Sequence, residues 1–415
     1  MHQLLHLLII DRCRGAALAQ RVATRWLLPA VACGERRRAP VAAASWCAAH
    51  DLAVAAVGQW IGRVADDGAS VDWLMVMVVR SPVTPAPDGL RWFALEALDP
   101  RTAAVEYQAW ATGVFKDGDA QVAGPFGSTR WIDDVEAWVL GKIGDNCVTS
   151  IQCLRASASQ VVVRLRTEHR TVYFKGCAAD DGSDANVLSA AASLLPESFP
   201  RAVALETRSN GAIWWLIDAC SGKALAMPSD AGAAAVRVAS DVGRIQRVLS
   251  SDGVCQTLAP RLNVRGASDE AQLLLTKAGM SWTDDRMLDA IAATESLPVG
   301  WTPLDLDPSN VFLDGRQIRY IDLEPRITAM PMALSIFARR LAATGDALQA
   351  LRRAYDSTSD EGIPWPSVDL VSQLVEVITG WRRMLRNIEC GEVSGQLDGV
   401  ARAVAKRLAS AKPLV

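Results

Sequence analysis

Residues 304–313 read Leu-Asp-Leu-Asp-Pro-Ser-Asn-Val-Phe-Leu, and residues 320–324 read Tyr-Ile-Asp-Leu-Glu. Asp305 stands five residues before Asn310, and Asp322 follows twelve residues after Asn310, at the end of a short apolar run. Oxygen atoms of carboxylates and amides are the ligands that Mg²⁺ prefers. The stretch therefore offers two candidate metal ligands, Asn310 and Asp322, together with a carboxylate at the matching spacing, Asp305. Asp307 fits less well than Asp305, because only Asp305 stands five residues before the Asn.

The residues between the two candidate ligands predict a β-hairpin. Residues 311–313 favour a strand, Asp314 and Gly315 form a turn signal, and residues 318–321 favour the returning strand. Such a hairpin would bring Asn310 and Asp322 back to the same end of the sheet. Their oxygen atoms would then face one cation close to Asp305.

This order of residues is typical of a kinase-type phosphotransfer site, which needs one base and two metal ligands. Asp, Asn, Pro and Gly are also the usual turn formers, so any one of these residues alone would indicate a turn. The Asp-x-x-x-x-Asn spacing, the hairpin and the terminal Ile-Asp occur together and in order. We therefore favour the functional interpretation.

The segment resembles the catalytic loop of the aminoglycoside phosphotransferase family, a branch of the protein-kinase-like fold. That family's pattern is His-Gly-Asp-x-x-x-x-Asn followed by Ile-Asp-Trp or similar. The resemblance implies that Asp305 is the catalytic base and that Asn310 and Asp322 hold Mg²⁺. The family's His, which is thought to brace the loop, falls on Pro303, and its Gly falls on Leu304. A weaker resemblance extends over residues 128 to 415.

Upstream residues predict a nucleotide-binding lobe. Residues 160–167 and 171–176 flank a short turn and predict a hairpin. Lys175, near the end of the second strand, stands where a kinase-like lobe keeps the lysine that pairs with nucleotide phosphates. A solvated lysine at a strand end is the alternative. Ser157 and Ser159 could donate to phosphate oxygens, although ordinary loop serines are the simpler interpretation of either one.

Two further features belong to this predicted lobe. The helix expected at about residues 184–195 contains no Glu to pair with the lysine, and Asp184 is the nearest acid. Residues 214–218 favour a strand that ends at Asp218, where we expect a hinge whose backbone groups receive the adenine edge. Asp218 is therefore a candidate cofactor-binding residue. The tryptophans of this strand are expected in the core.

The expected fold class is α+β, a two-lobed protein-kinase-like fold with a small mixed β-sheet lobe and a larger helical lobe. A separate α/β domain precedes it at residues 1–112, and residues 113–130 form a linker. The lobes are expected at 131–225 and 226–415. Helices of the last region are predicted at 233–249, 284–294, 332–343, 346–355, 368–386 and 393–409.

The first region predicts strands at 54–63 and 71–80 and helices at 42–50 and 100–111. This order faintly resembles the Nudix fold. The helix at 44–50 carries no carboxylate, whereas the Nudix helix needs a cluster of glutamates to hold metal. The resemblance therefore implies a module without chemistry of its own, which serves docking or shapes a substrate site.

Length and composition narrow the class of protein to which the chain can belong. A chain of 415 residues suggests two or three domains, and its formal net charge of −3 gives no sign of nucleic-acid binding. Nine cysteines without a Cys-x-x-Cys pair indicate free thiols in a reducing compartment. Residues 1–10 are apolar but too short to cross a membrane. We expect a cytoplasmic protein without a nucleic-acid or membrane partner.

The sequence thus predicts an ATP-dependent and Mg²⁺-dependent transfer of the γ-phosphoryl group to a hydroxyl of a small molecule. The alternative is a pseudokinase, a nucleotide-binding regulatory or scaffold module without turnover. The acids of the catalytic stretch suggest a cationic or polyhydroxylated acceptor. Paired arginines, among them Arg339-Arg340, Arg352-Arg353 and Arg382-Arg383, are interpreted as solvated surface.

Overall fold

The computed structural model describes residues 2–11, 16–22, 25–33, 39–64, 70–80, 86–94, 125–126, 130–157, 159–178, 183–225, 232–281, 285–358, 362–389 and 397–414. The chain divides into two compact units. Unit 1 comprises Met1–Ala179, Val203–Ile217 and Arg383–Val400, and unit 2 comprises Asp180–Ala202, Asp218–Arg382 and Ala401–Val415. The predicted helix at 100–111 and most of the predicted linker lie outside the described residues.

A seven-stranded sheet opens unit 1. Its members are β1 (His2–Asp11), β2 (Ala16–Val22), β3 (Arg25–Leu27), β4 (Ala30–Cys33), β5 (Val54–Val64), β6 (Ser70–Val79) and β7 (Leu90–Ala94), with helix α1 (Ala39–Ala48) between β4 and β5. β1 pairs in parallel with β6 and antiparallel with β2 and β4. Residues 7–10 of β1 are almost completely buried, as expected for a central strand that is covered on both faces.

A five-stranded sheet follows in unit 1. Its strands β8 (Ser150–Ala156), β9 (Gln160–Arg166), β10 (Thr171–Cys177), β11 (Ala202–Thr207) and β12 (Ile213–Asp218) lie in the order β11-β12-β10-β9-β8. The predicted hairpin at 160–176 is confirmed, because β9 and β10 pair antiparallel. Helix α2 (Trp131–Ile143) packs on this sheet, where the Trp138 ring meets the rings of Phe174 and Trp214 edge-on at 5.8 Å and 5.4 Å.

Both sheets contribute to one hydrophobic core. Leu7 and Val76 of the first sheet belong to the same buried cluster as Val163 and Phe174 of the second. Strands β5 and β8 lie beside each other, and α1 packs against both. The separate N-terminal domain expected from the sequence is therefore not confirmed, since its strands share the interior of the five-stranded sheet.

Most of the helices belong to unit 2. They are α3 (Ser183–Leu194), α4 (Gly232–Ser251), α5 (Gly253–Leu258), α6 (Val264–Lys277), α7 (Arg286–Glu295), α8 (Met332–Arg340), α9 (Gly345–Asp356), α10 (Trp365–Glu389) and α11 (Leu397–Ala409), the last two extending partly into unit 1. Helices predicted at 233–249, 284–294, 332–343, 346–355 and 368–386 are confirmed. The helix predicted at 393–409 is present from residue 397, and residues 393–396 lie outside the described part of the chain.

Two helices of unit 2, α5 and α6, were missed by the sequence-based prediction. The signals for both are capping residues. Asp252 accepts a hydrogen bond from the Cys255 N–H at 2.9 Å, and Asn263 accepts one from the Gly266 N–H at 2.8 Å. Across the described residues, no helix is both long and apolar enough to cross a lipid bilayer.

Short strands of unit 2 carry the candidate site. They are β13 (Lys223–Ala224), β14 (Val299–Pro303), β15 (Val311–Asp314), β16 (Gln317–Tyr320) and β17 (Pro325–Ala329). The predicted hairpin is confirmed as β15 and β16, with Gly315 at a φ of +59° in the turn. Tyr320 anchors it: its ring packs near Phe199, and its hydroxyl donates to Asp241 at 3.0 Å. The hairpin is thus fixed to α4.

Gly222 provides a test of the packing between β13 and β15. Its φ is +88°, and a Cβ atom there would lie 2.2 Å from the carbonyl oxygen of Leu313. We expect Gly222→Ala to lower the free energy of unfolding by about 2–4 kcal/mol, because strain and overcrowding add. Urea unfolding measures this change.

The matched control is Gly253→Ala at the start of α5. A Cβ atom at Gly253 meets no atom within 4 Å, and its φ is not in the left-handed region. This variant is expected to lie within about 1 kcal/mol of the wild type. Equal stability losses in the two variants would contradict the described approach of Gly222 to Leu313.

Candidate active site

Two prolines open the loop that contains the candidate residues. Pro303 at the end of β14 pairs in register with Pro325 at the start of β17. Neither proline has an N–H group, and the ladder tolerates this because the next pair, Leu304 and Glu324, is the hydrogen-bonded one. The chain leaves the sheet here, and the Leu304 N–H donates to the Glu324 carbonyl at 2.9 Å to close the base of the excursion. Residues 305–323, which include the β15–β16 hairpin, are called the candidate loop, and this bond fixes its two ends to each other.

The side chain of Asn310 holds this loop together. It is 4 % exposed, and its amide nitrogen donates to the carbonyl oxygens of Asp305 at 3.0 Å and of Asp322 at 3.3 Å. Carbonyl oxygens only accept, so the amide nitrogen must face both of them. The side-chain oxygen of Asn310 then points away from the two carbonyls. The structure therefore brings the three residues Asp305, Asn310 and Asp322 together, as the spacing predicts.

The hairpin explains why Asp322 returns to Asn310. The Ile321 N–H donates to the Asn310 carbonyl at 2.9 Å, one step beyond the last pair of the β15–β16 ladder. Asp322 itself has a φ of +51°, in the left-handed region that few residues other than Gly, Asn and Asp adopt. Backbone strain of this kind tends to occur at functional sites.

Asp305 and Asp307 differ in their surroundings. Asp307 accepts hydrogen bonds from the N–H and the hydroxyl of Ser309, at 2.8 and 2.7 Å, and so caps the 3₁₀ turn Pro308–Asn310. Burial alone would raise the pKa of Asp307, but the Ser309 donors and the Arg340 guanidinium outweigh it and lower that pKa. Asp307 therefore has a structural role as the cap of this turn, while the two side chains are about equally exposed, 34 % for Asp305 and 28 % for Asp307. The capping role of Asp307 supports Asp305 as the candidate base.

Arg340 lies beside both carboxylates. Its guanidinium is 3.1 Å from Asp307 and 3.9 Å from Asp305, and it also binds Glu376 of α10 at 2.9 Å. Burial of Arg340 alone would lower its pKa, but the charge of Glu376, with those of the two aspartates, raises it. Arg340 was missed as a site residue, because it was interpreted as solvated surface.

Two more arginines contradict that interpretation. Arg352 is almost fully buried and binds the buried Asp369 at 2.6 Å. Arg339 donates to the Asp369 carbonyl and to the Ser372 hydroxyl, both at 2.9 Å. A signal was available for Arg339, since all residues 332–338 of α8 are apolar or small, and such a run predicts a helix that is buried up to the residue before Arg339.

Arg326 connects α3 to the segment that follows Asp322. Its guanidinium binds Asp184 of α3 at 2.9 Å and Glu324 at 2.7 Å. All three side chains are largely buried. Asp184, the acid considered for pairing with the lysine, therefore has Arg326 as a partner within unit 2. Sequence patterns gave no sign of this pair, because its partners stand 142 residues apart.

The other predicted cofactor-binding residues belong to other elements of the fold. Lys175 lies in unit 1 on β10, opposite Val162 of β9, and it points away from the face that buries Val172 and Phe174. Asp218 is the first residue of the second segment of unit 2, and its carboxylate binds Arg201 of the first segment at 2.8 Å. Its N–H also donates to the Arg201 carbonyl.

Ser157 closes the turn between β8 and β9. Its hydroxyl donates to the Gln160 carbonyl at 2.8 Å and accepts from the Gln160 N–H at 2.9 Å. A hydroxyl has one proton, and phosphate oxygens only accept, so this bond competes with the predicted phosphate contact. Ser159 lies 3.5 Å from it, oxygen to oxygen.

The loop contains carboxylate and amide oxygens, the donor types that Mg²⁺ takes. Within the described residues, no group of three or more His, Cys, Asp or Glu side chains is placed to hold a metal ion. A Mg²⁺ ion that is shared with substrate phosphates needs only one or two protein ligands. The Asn310 side-chain oxygen and the Asp322 carboxylate are donors of the type that such an ion takes, and the Asn310 amide nitrogen contacts the backbone carbonyl of Asp322. The residues present therefore fit the ion.

Comparisons with known proteins give structural likenesses only. No family model matches the chain, and no curated protein matches it. A choline/ethanolamine kinase family protein from Mesorhizobium loti aligns with 67 % of this chain and 95 % of its own, at 13 % identity and a TM-score of 0.48. Choline kinase LicA from Streptococcus pneumoniae aligns with 68 % of this chain and 99 % of its own, at 13 % identity and 0.48.

A third solved structure, macrolide 2'-phosphotransferase MphH from Brachybacterium faecium, aligns with 67 % of this chain and 98 % of its own, at 12 % identity and a TM-score of 0.46. All three scores lie below 0.5, so the proposals that follow rest on the geometry of the loop itself. The expected Nudix likeness of the N-terminal residues receives no support from these comparisons.

Replacement of Asn310 by Asp tests the two hydrogen bonds at the centre of the loop. An Asp side chain has no N–H to donate and would face two carbonyl oxygens. We expect Asn310→Asp to lower the free energy of unfolding by about 2–3 kcal/mol, since a buried donor is lost and acceptors are left unpaired. Thermal unfolding measures the change.

Asn263→Asp is the control of identical chemistry. Asn263 uses its side-chain oxygen to cap α6, and an Asp side chain can accept the same bond. This variant should unfold within about 0.5 kcal/mol of the wild type. If Asn310→Asp is as stable as Asn263→Asp, the orientation assigned to the Asn310 amide is incorrect.

Proposed function

We propose that the chain is an ATP-dependent phosphotransferase that moves the γ-phosphoryl group to a hydroxyl of a small molecule. The observation that carries the proposal is the double hydrogen bond from Asn310 to the carbonyls of Asp305 and Asp322. These bonds support the proposal because they join the backbones of the proposed base, Asp305, and of the proposed metal ligands, Asn310 and Asp322. Phosphoryl transfer depends mainly on positioning and on neutralising charge, so a few such groups are sufficient.

Each residue has a distinct part in this proposal. The side-chain oxygens of Asn310 and Asp322 hold Mg²⁺. When bound, Mg²⁺ supplies positive charge that offsets the negative charge of the phosphate oxygens. Asp305 orients the acceptor hydroxyl and accepts its proton while the phosphoryl group moves onto the hydroxyl oxygen. Lys175 of unit 1 binds nucleotide phosphates, and ADP is the second product.

A pseudokinase, which binds nucleotide without turnover, is the second candidate. Pro303 favours it, because the resembling family has a histidine there that is thought to brace the loop. The absence of a Glu from α3 favours it as well. The exposure of Asp305 argues for turnover, since a base must reach its substrate.

The acceptor class is less restricted than the sequence suggests. Glu324 is paired with Arg326, and Asp307 is paired with Arg340. Asp314 lies in the hairpin turn and is exposed. The acids near Asp305 are thus partly neutralised, and their number alone does not call for a cationic acceptor. We propose a hydroxylated small molecule as the acceptor.

The variant Asp305→Asn tests the proposed base. It should lower the rate of ADP release in the presence of a hydroxylated acceptor by about 10²–10⁴-fold, which is the contribution typical of a general base. Binding of Mg-ATP, measured by calorimetry, should change little, because Asp305 is not a proposed metal ligand.

Asp314→Asn is the matched control, since this exposed acid belongs to the same hairpin but lies at its far end. It should retain the wild-type rate. Retention of turnover by Asp305→Asn would refute the assignment of the base. Binding of Mg-ATP by the wild type without turnover on any hydroxylated acceptor would favour the pseudokinase instead.

A further inference from the structure

Arg340, the last residue of α8, bridges α10 and the candidate loop. Its Nε and one terminal nitrogen donate to the same oxygen of Glu376, at 3.0 and 2.9 Å. Its other terminal nitrogen donates to Asp307 at 3.1 Å, and the guanidinium lies 3.9 Å from Asp305. One planar group thus contacts two acids of the loop while a third acid fixes its orientation.

Glu376 is held firmly by its own surroundings. Its side chain is 10 % exposed, and it also forms an ion pair with Arg339. Arg339 is in turn fixed by the Ser372 hydroxyl and the Asp369 carbonyl, one or two helical turns earlier on α10. An arginine with one edge bound in this way loses little further side-chain entropy when its second edge binds Asp307. Arg340 therefore presents a fixed cation to the loop.

Arg340 acts on the side chain of Asp305, whereas hydrogen bonds within the loop hold its backbone. The backbone of Asp305 is held by Asn310 and by the Asp307 N–H, which donates to its carbonyl at 2.9 Å. The carboxylates of Asp305 and Asp307 carry like charges two residues apart. A cation between them offsets this repulsion and draws Asp305 toward the rigid cap formed by Asp307 and Ser309.

We propose that Arg340, held by Glu376, is the residue that positions Asp305 for phosphoryl transfer. This inference rests on the proposed function only for the step that Asp305 performs; the bracing of the loop by Arg340 is independent of that function. The position that carries a bracing histidine in the resembling family holds Pro303 here, and proline has no side-chain hydrogen-bonding group. The brace in this chain comes instead from α8.

The first test measures the loop without reference to turnover. In Arg340→Gln and in Glu376→Gln, the amide protons of Asp307 and Asn310 should exchange with solvent at least about tenfold faster, because the hydrogen bonds that they make within the loop open more often. Residue-resolved hydrogen exchange detects this change. Amide protons of β14, such as that of Trp301, should exchange as in the wild type.

The second test separates positioning from binding. Arg340→Gln should lower kcat by about 10- to 100-fold, the size expected when a reacting group is misplaced by an ångström or less. The KM for ATP should stay within about twofold, because Arg340 contacts no proposed nucleotide ligand. When Glu376→Gln is added to Arg340→Gln, kcat should fall little further, since Glu376 acts through Arg340.

Arg265→Gln is the matched control. Arg265 of α6 donates two hydrogen bonds, of 2.8 and 2.6 Å, to Glu295 of α7. Like the Arg340–Glu376 pair, this is an Arg–Glu pair between two helices of unit 2. It has no contact with the loop among the interactions described. This variant should match the wild type in kcat and in the hydrogen-exchange rates of the Asp307 and Asn310 amide protons.

An unchanged kcat for Arg340→Gln in an active enzyme overturns the positioning role. The role is also overturned if Glu376→Gln lowers kcat by the same factor with and without Arg340. If the wild type transfers no phosphate, the proposed function fails, and the exchange experiment alone decides whether Arg340 fixes the loop. Unchanged exchange in both variants would then overturn the inference.

Discussion

The candidate site depends on one side-chain amide. Asn310 is buried and donates to two backbone carbonyls from segments that the hairpin β15–β16 separates in sequence. These bonds join Asp305 to Asp322 in addition to the Leu304–Glu324 bond that closes the base of the loop. The same bonds orient the amide oxygen away from the carbonyls, where it can bind a cation. Asn310 thus holds the loop together through its amide nitrogen and offers its side-chain oxygen as a candidate metal ligand. An Asp at this position could supply only the oxygen ligand.

Two arginines add charge pairing to this centre. Arg340 connects Asp305 and Asp307 to Glu376. Arg326 connects Glu324 to α3. The partly exposed pairs of Arg340 with the two aspartates contribute little to stability, generally less than about 1 kcal/mol each. Their value here is geometric, because planar guanidinium groups fix the directions of several carboxylates at once.

The local part of the site could be predicted from the sequence, and the distant part could not. The hairpin and the approach of Asn310 to Asp322 follow from turn residues and strand patterns within twenty residues. Arg326 and Arg340 bind partners that stand 142 and 36 residues away. Arg339 and Arg352 were interpreted wrongly as surface, because short basic runs are usually solvated, whereas these two pair with acids inside the helical unit. The separate N-terminal domain was expected because alternation of strands and helices does not reveal which sheets share a core.

The central claim is that Asn310 and Asp322 bind the metal that accompanies the nucleotide. The most direct measurement is anomalous X-ray scattering from crystals grown with Mn²⁺ and a non-hydrolysable ATP analogue, since Mn²⁺ accepts the same oxygen ligands as Mg²⁺. The account predicts an anomalous peak within coordination distance of the Asn310 side-chain oxygen and an Asp322 carboxylate oxygen. A peak at other residues, or bound nucleotide without a metal at these two, would contradict it.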